Sequence, residues 1–339
     1  MKATSRYARQ ERLADFGTAA QQNLAAATVS VLGLGALGTV AAELLARAGV
    51  GNLRLIDRDI VELSNLHRQL LYTESDAHHG LPKAEAAATR LSSINSTINL
   101  QPCVADVTPN TIHDLLAGST AVVDATDNAQ TRFLLNDWCV KQGVPWVYGA
   151  GLGWEGRTLG IVPKPLLGAT ACLRCVFHDI PPPGSLDTCE TAGVLPAVTA
   201  TVASLQAGFI LRLLAGISAD GTMTAINLRS GRITQVATGE PDVLCKCCSL
   251  REFDLLHGVA VEDGAKLCGR DTVQIRLGSP LDLATLAARH PTIASRSKFM
   301  VRLSAGEATL TCFADGRVLV AGVKDIASAR AAVARWIGV

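Results

Sequence analysis

Over the first 160 residues, short apolar runs rich in β-branched residues alternate with longer Ala- and Leu-rich stretches of helical period. Thr28–Leu32 reads as a strand running into glycines, 36–48 as a helix closed by Gly49, and Leu53–Ile56 as the next strand. Lys83–Ile94 and 129–141 have helical spacing, while Ala121–Asp124 and 144–148 read as buried strands. This alternation predicts an α/β fold: a doubly wound, mostly parallel, Rossmann-like sheet with right-handed crossovers. After Gly149 the texture changes. Pro181-Pro182-Pro183-Gly184 and the stretch to Gly193 read as a long loop able to move, followed by an apolar helix over 197–215 and strands over 222–228 and 233–236. Beyond about Phe253 a tail has its own pattern. Strands are expected over 272–277, 299–303, 308–313 and 318–321, with helices over 281–289 and 325–337. Two domains are therefore expected, residues 1–250 and a small α+β domain over 255–339.

Composition narrows the class. The chain has 339 residues, 48% hydrophobic and 18% charged, which excludes a disordered chain. Lys+Arg 31 against Asp+Glu 30 leaves a net charge of +1, so no overall field recruits nucleic acid or an acidic membrane. The 197–215 stretch carries Thr199, Thr201, Ser204, Gln206 and Arg212 and reads as a buried or interface helix, not a membrane span. Met1–Arg6 lacks the apolar run of a secretory signal, so a soluble, cytoplasmic protein is expected.

Gly33-Leu-Gly35-Ala-Leu-Gly38 lies between a strand and a helix, where glycines admit a phosphate and the helix start supplies N–H donors. Asp57 closes the next strand, placed for ribose hydroxyls. Asp59, Asn65, Arg68, Gln69 and Lys83 crowd the following stretch, and Asp127-Asn128 follows a later strand. Singly, Arg68 reads as a surface cation, Lys83 as a helix-start residue and Asp127 as a helix cap. Jointly, at the carboxyl ends of parallel strands, they favour a triphosphate held by Arg68 and Lys83, with Asp127 on Mg²⁺. An NAD-dependent oxidoreductase needs an apolar nicotinamide pocket instead.

Ten cysteines are present. Cys172-x-x-Cys175 and Cys245-x-x-Cys248 form two chelating pairs, the signature of a structural Zn²⁺ site, with Cys247 competing for the fourth place. Cys189 stands apart in the loop. In the tail, Cys312–Arg317 is faintly similar to a rhodanese active loop, but alternation about Asp315-Gly316 favours a β-hairpin. Cys268, in Leu267–Arg270, reads equally as a packing thiol or a sulfur-handling one.

Arg6-Tyr-Ala-Arg9-Gln10, the glycine loop, Asp57-Arg-Asp59, Ser64-Asn-Leu-His-Arg68-Gln69, Gly80-Leu-Pro-Lys83, Asp124-Ala-Thr-Asp127-Asn128, the cysteine pairs and Thr188–Gly193 occur in this order. Over the first three-quarters of the chain this set resembles the ThiF/MoeB/HesA family, bacterial relatives of ubiquitin-activating enzymes. The resemblance implies the ubiquitin-activating-enzyme type of fold. It implies ATP-dependent adenylation of the C-terminal glycine of a ubiquitin-like sulfur-carrier protein ending in Gly-Gly, for thiamine, molybdopterin or related sulfur transfer. It further implies Asp57 on ribose, Asn65, Arg68 and Lys83 on phosphates, Asp127 on Mg²⁺, and Arg9 reaching into the partner subunit of a homodimer. Cys189 is implied as the thiol that captures the carrier or passes sulfur from a sulfur-donor protein. A tRNA-modifying dehydratase or a peptide-activating enzyme of the same fold is the alternative. The paired cysteines, Cys189 and the near-zero net charge weigh against the tRNA reading. The tail is read as a docking module for a carrier or another partner.

Overall fold

The computed structural model describes residues 6–166, 168–182, 187–258, 265–266, 272–290 and 293–338. Eight strands form the main sheet: β1 Thr28–Leu32, β2 Asn52–Ile56, β3 Asn99–Cys103, β4 Ala121–Asp124, β5 Trp146–Leu152, β6 Glu155–Ile161, β7 Thr222–Asn227 and β8 Arg232–Ala237. Their order is β3-β2-β1-β4-β5-β6-β7-β8. From β3 to β5 the pairing is parallel, and from β5 to β8 it is antiparallel. The doubly wound half follows the strand–helix alternation, and the antiparallel half is an extension that alternation does not announce.

Among the described residues, nine α-helices belong to this part of the chain: α1 Gly17–Ala26, α2 Gly38–Ala48, α3 Glu74–His79, α4 Lys83–Ile94, α5 Ile112–Leu116, α6 Ala129–Gln142, α7 Leu173–Val176, α8 Cys189–Ala192 and α9 Pro196–Leu214. Successive strand residues point to opposite faces, and the sequence exploits that period. Val29, Val31 and Val123 join one core layer with α1, α2, α4 and α9, while Leu32, Val122, Trp146 and Tyr148 join the other with α5 and α6.

Helix α9 is long and apolar enough to cross a membrane by length and composition. It lies instead against β5, β6 and α2, with Val198, Val202 and Ile210 fully buried. Each such side chain contributes roughly 1.5–3 kcal/mol on burial. Gln206, also buried, donates through Nε2 to the carbonyls of Asp124 (2.6 Å) and Val147 (3.3 Å), tying α9 to the centre of the sheet. Helix and sheet approach so closely that a Cβ on Gly160 would come within 1.9 Å of the Phe209 ring.

The tail forms a separate six-stranded antiparallel sheet. Its strands are β9 Ala265–Lys266, β10 Thr272–Arg276, β11 Ile293–Arg296, β12 Met300–Ala305, β13 Ala308–Phe313 and β14 Arg317–Ala321, in the order β11-β12-β13-β14-β10-β9. Helices α10 Leu283–Arg289 and α11 Ile326–Ile337 pack on one face over Val273, Leu303, Leu310, Cys312 and Val318. The hairpin at Asp315-Gly316 is present, with Gly316 at φ +85°, and Cys312 is fully buried. Burial alone pushes the Cys312 thiol up to about 12, so it carries no thiolate at neutral pH. Cys268 and Pro183-Gly184 lie outside the described residues.

Candidate active site

The glycine loop leaves β1 with Gly33 at φ +86° and enters α2 at Gly38. A Cβ at Gly38 would lie 1.9 Å from the Gly33 carbonyl oxygen, and one at Gly33 2.7 Å from that of Ala125. Only glycine fits at either place. Asp57, just past β2, takes the Leu34 N–H on Oδ2 and the Asp59 N–H on Oδ1, both at 2.7 Å. Its carboxylate thus joins the glycine loop to the next loop and keeps lone pairs for further donors. Burial pushes the Asp57 carboxyl upward, and the neighbouring Lys83 opposes that shift.

Lys83 opens α4 behind Pro82, almost fully buried, with Nζ 3.4 Å from Asp59 Oδ2. Asn65 and Gln69 are buried on the loop between them. Asn65 Oδ1 accepts from the Glu62 N–H, while Gln69 Oε1 is buried with no hydrogen-bond partner among the described residues. Gln69 Nε2 would lie 3.9 Å from a Cβ on Gly35, which places this amide over the glycine loop. Arg68, half-buried, donates to the Ser64 carbonyl at 2.9 Å. Across the crevice Asp127 is exposed and, among the described residues, takes no hydrogen bond. Asn128, not Asp127, caps α6 by accepting from the Thr131 N–H at 2.8 Å.

Arg132 escaped the sequence analysis. Its guanidinium lies 3.3 Å from the buried Asp124, donates to the Thr126 and Gly149 carbonyls, and stacks 5.2 Å from the Tyr148 ring centroid. It ties the segment that follows β4 to the middle of β5. The available signal was its place one helical turn after the Asn128 cap, where a long cation reaches back to the strand ends.

Cys189 sits on the one-turn α8, half-buried, its Sγ 3.3 Å from the Gly151 carbonyl oxygen. The segment folds back on β5, as Gly153 N–H bonds to the Gly193 carbonyl and Leu195 N–H to that of Gly153. Burial, then the charge of Asp127, push the Cys189 thiol upward, while Arg68 and Arg132 pull it down.

Arg9 stands apart from this group in its own chain. Gln10 Nε2 bonds to the Ala48 carbonyl, and Tyr7 Oη accepts from Asn95, so the segment rests on the C-terminal ends of α2 and α4. Those ends lie at the opposite edge of the parallel strands, about 13 Å away along a five-residue strand. Arg9 itself is exposed.

The four cysteines of the two pairs meet. Sγ separations are 3.8 Å for Cys172–Cys175, 3.7 Å for Cys172–Cys245 and 3.5 Å for Cys175–Cys248, and all four sulfurs lie within 4.8 Å of one another. Four sulfurs about 2.3 Å from a central Zn²⁺ would stand about 3.8 Å apart, so the group fits a tetrahedral zinc site. Cys247 lies outside the four-sulfur group, beside Cys172, and accepts from Asn136 Nδ2 at 3.2 Å. Asn136 Oδ1 takes the Leu173 N–H, and Arg174 pairs with the buried Asp137 at 3.0 Å, joining the cysteine lobe to α6. Arg251 donates to the Val140 and Lys141 carbonyls at the C-terminus of α6, where a cation is favoured.

A Rossmann-like sheet whose carboxyl edge gathers a glycine loop, a carboxylate, cations and an unbonded Asp defines a nucleotide-binding protein. The chain belongs to the ThiF family, whose model matches residues 7–247. It is 38% identical over 341 residues to the sulfur carrier protein ThiS adenylyltransferase of Bacillus subtilis, covering 99% of this chain and 100% of that one. It is 40% identical over 209 residues to the SAMP-activating enzyme E1 of Haloferax volcanii, covering 62% of this chain and 75% of that one. Among solved structures it resembles E. coli MccB with AMPCPP and MccA, at a TM-score of 0.63 and 23% identity over 73% of this chain and 75% of that one. That last likeness concerns the fold alone.

Proposed function

We propose that this chain adenylates the C-terminal glycine carboxylate of a ubiquitin-like sulfur carrier, using ATP and releasing pyrophosphate. One observation carries the reading. The carboxyl edge of the parallel strands gathers Asp57, Lys83 and Asp127 around the glycine loop, in a chain similar along nearly its whole length to a ThiS adenylyltransferase. Neither a hydride-transfer enzyme nor a tRNA-modifying or peptide-activating relative is favoured by the names of these relatives.

The carrier's carboxylate oxygen attacks the α-phosphorus, the P–O bond to the β-phosphate breaks, and pyrophosphate leaves with that electron pair. The nucleophile is already ionised near neutral pH, so no general base is required. The protein's part is positioning and charge neutralisation. Asp57 holds ribose, Asn65, Arg68, Gln69 and Lys83 face the phosphates, and Asp59 keeps Lys83 in place. Asp127, an exposed carboxylate with no hydrogen bond among the described residues, would hold Mg²⁺, which neutralises phosphate charge. Cys172, Cys175, Cys245 and Cys248 would hold Zn²⁺, which pins two distant segments.

The Cys189 thiolate then attacks the acyl carbon of the adenylate, expelling AMP and holding the carrier as a thioester. The terminal sulfur of a persulfide on a sulfur-donor protein next attacks that carbon, forming an acyl persulfide and releasing the Cys189 thiolate. Arg9 serves the neighbouring site in a homodimer. The cytoplasm, which keeps thiols reduced, suits this set of ligands. The test is ATP–pyrophosphate exchange with purified carriers ending in Gly-Gly. Exchange that requires the carrier supports the reading, and carrier-independent exchange or none with any carrier overturns it.

A further inference from the structure

The C-terminal domain turns one face of its sheet to its own helices and the other to the carboxyl edge of β2 and β3. Met300, Phe313 and Leu319 form a small core with Ile60, Leu81 and Val104 of the first domain. Arg302 covers Gly80, where an added Cβ would meet its Nη1 at 2.3 Å. At the centre lies Arg317, wholly excluded from solvent. Its guanidinium pairs with Asp315 at 2.6 Å and rests 4.6 Å from the Phe313 ring centroid. It donates through Nη1 to the Arg58 carbonyl at 3.0 Å and through Nη2 to that of Val104 at 3.4 Å. A second link runs beside it. Asp106 accepts from Arg58 at 3.2 Å on one oxygen and from Arg276 at 3.3 Å on the other, one arginine from each domain.

Arg58 is the residue between Asp57 and Asp59. The carbonyl held by Arg317 therefore belongs to the turn that aims both carboxylates, and Asp59 in turn holds Lys83. Backbone bonds extend the grip, since Asp57 N–H donates to the Cys103 carbonyl, Val61 N–H to that of Leu81 and Lys83 N–H to that of Asp59. We propose that Arg317 is a positioning residue for ATP, and that the C-terminal domain acts as a brace setting the Asp57–Asp59 turn and, through it, Lys83. The inference rests on the reading of this crevice as an ATP site. A buried guanidinium costs much to desolvate and is retained where its several donors are all engaged. Here two of its acceptors are backbone carbonyls of the other domain, so removing it frees the loop without altering any group that touches ATP.

The experiment compares Arg317→Met, Arg317→Lys and Arg276→Gln with the wild type in the full-length chain. ATP binding is measured by equilibrium titration without carrier, and KM for ATP, KM for carrier and kcat by pyrophosphate exchange. Arg317→Met should weaken ATP binding and raise its KM about tenfold, equivalent to about 1.4 kcal/mol. Its kcat at saturating ATP and its KM for carrier should stay close to the wild type. Arg317→Lys should recover part of the loss, and Arg276→Gln, at a half-exposed position, should show a smaller shift of the same kind. A variant that merely lost structure would lose active enzyme, lowering kcat with KM unchanged. If Arg317→Met does not fold, Arg276→Gln decides. Wild-type ATP affinity in the folded variants overturns the proposal. ATP binding by a wild type that turns over no carrier would count against the proposed function and leave this comparison standing.

Discussion

Metal removal tests the cysteine lobe, and single substitutions at its three C-terminal cysteines separate ligand from neighbour. Cys172 and Cys245 are 73 residues apart in the chain and 3.7 Å apart at sulfur. Closing a loop of that length restricts the unfolded chain by roughly 4 kcal/mol on the single cross-link estimate. A loss of that size lowers the melting temperature of a domain of this length by about 10 °C. The native protein should carry about one Zn²⁺ per chain, as four thiolates require. Cys245→Ser and Cys248→Ser should each lose zinc and show that fall in melting temperature. Cys247→Ser should keep its zinc, because Cys247 lies outside the four-sulfur group, and lose only about 1 kcal/mol for the weakened Asn136 contact. Elemental analysis with thermal melts, before and after chelation, reads all of this. A Cys247→Ser protein without zinc beside a zinc-replete Cys248→Ser protein would assign the ligand the other way. A chelated wild type melting at its usual temperature would refute the structural role altogether.

Asp127→Ala should lower carrier-dependent exchange at least about 100-fold with the circular-dichroism spectrum unchanged, the scale on which lost electrostatic stabilisation acts; near-normal exchange removes Asp127 from the reaction. Cys189→Ala should leave exchange intact while abolishing thioester capture, and equal losses in both would make Cys189 a support for the ATP site. Because burial and Asp127 raise the Cys189 thiol, the thiolate fraction at any given pH is smaller than for a free thiol. Its alkylation rate should therefore still be climbing at about pH 8.5, the midpoint of an ordinary cysteine, and a plateau near neutrality would contradict the shift. Inactive Arg9→Ala and Asp127→Ala chains, dissociated and mixed, should regain activity in about a quarter of sites if a two-fold dimer shares arginines; no recovery from properly mixed chains would place Arg9 outside the partner's site.

The centre of the parallel half was legible because β1 and β4 are short apolar runs buried along almost their whole length and the helices α2 and α4 have a clear period. Strand β3 was missed since Asn99-Leu-Gln-Pro-Cys103 is only partly buried and carries Pro102, tolerated there because β3 is an edge strand. Strand β6 was missed because Gly156 and Gly160 look like turn residues, yet they are small so that α9 can close on the sheet. Helix α1 has no clear apolar stripe and no side-chain cap, and it escaped notice for that reason. The helix over 36–48 begins at Gly38 instead, the two preceding residues belonging to the loop. At the candidate site, the residue types and their order along the chain were readable, but Arg132 and Arg317 were not singled out. Arg317 acts on backbone carbonyls remote in sequence, which no local pattern records, whereas Arg132 reaches the nearby Thr126 carbonyl and that of Gly149 from its place one turn after the Asn128 cap.

Those two arginines share a task that the chemistry explains. Attack by an ionised carboxylate on phosphorus needs little acid–base assistance, so the rate depends on how firmly the protein fixes triphosphate, metal and nucleophile relative to one another. The carboxyl edge of a parallel sheet is a poor place for firmness by itself, because the strands end there and the chain continues as loops. This molecule holds that edge from both flanks. On one side the cysteine lobe is tied through Asn136 and Asp137 to α6, and Asn128 at the start of α6 lies eight residues, about 12 Å of helix, from Asn136. On the other, Arg317 and the Asp106 bridge hold the turn carrying Asp57 and Asp59. Arg132 closes the middle by joining the segment after β4 to Gly149 within β5. Loss of either flank should then spread through the ATP site as weaker positioning rather than as a missing ligand, and combined losses should exceed the sum of single ones where both flanks bear on the same phosphates.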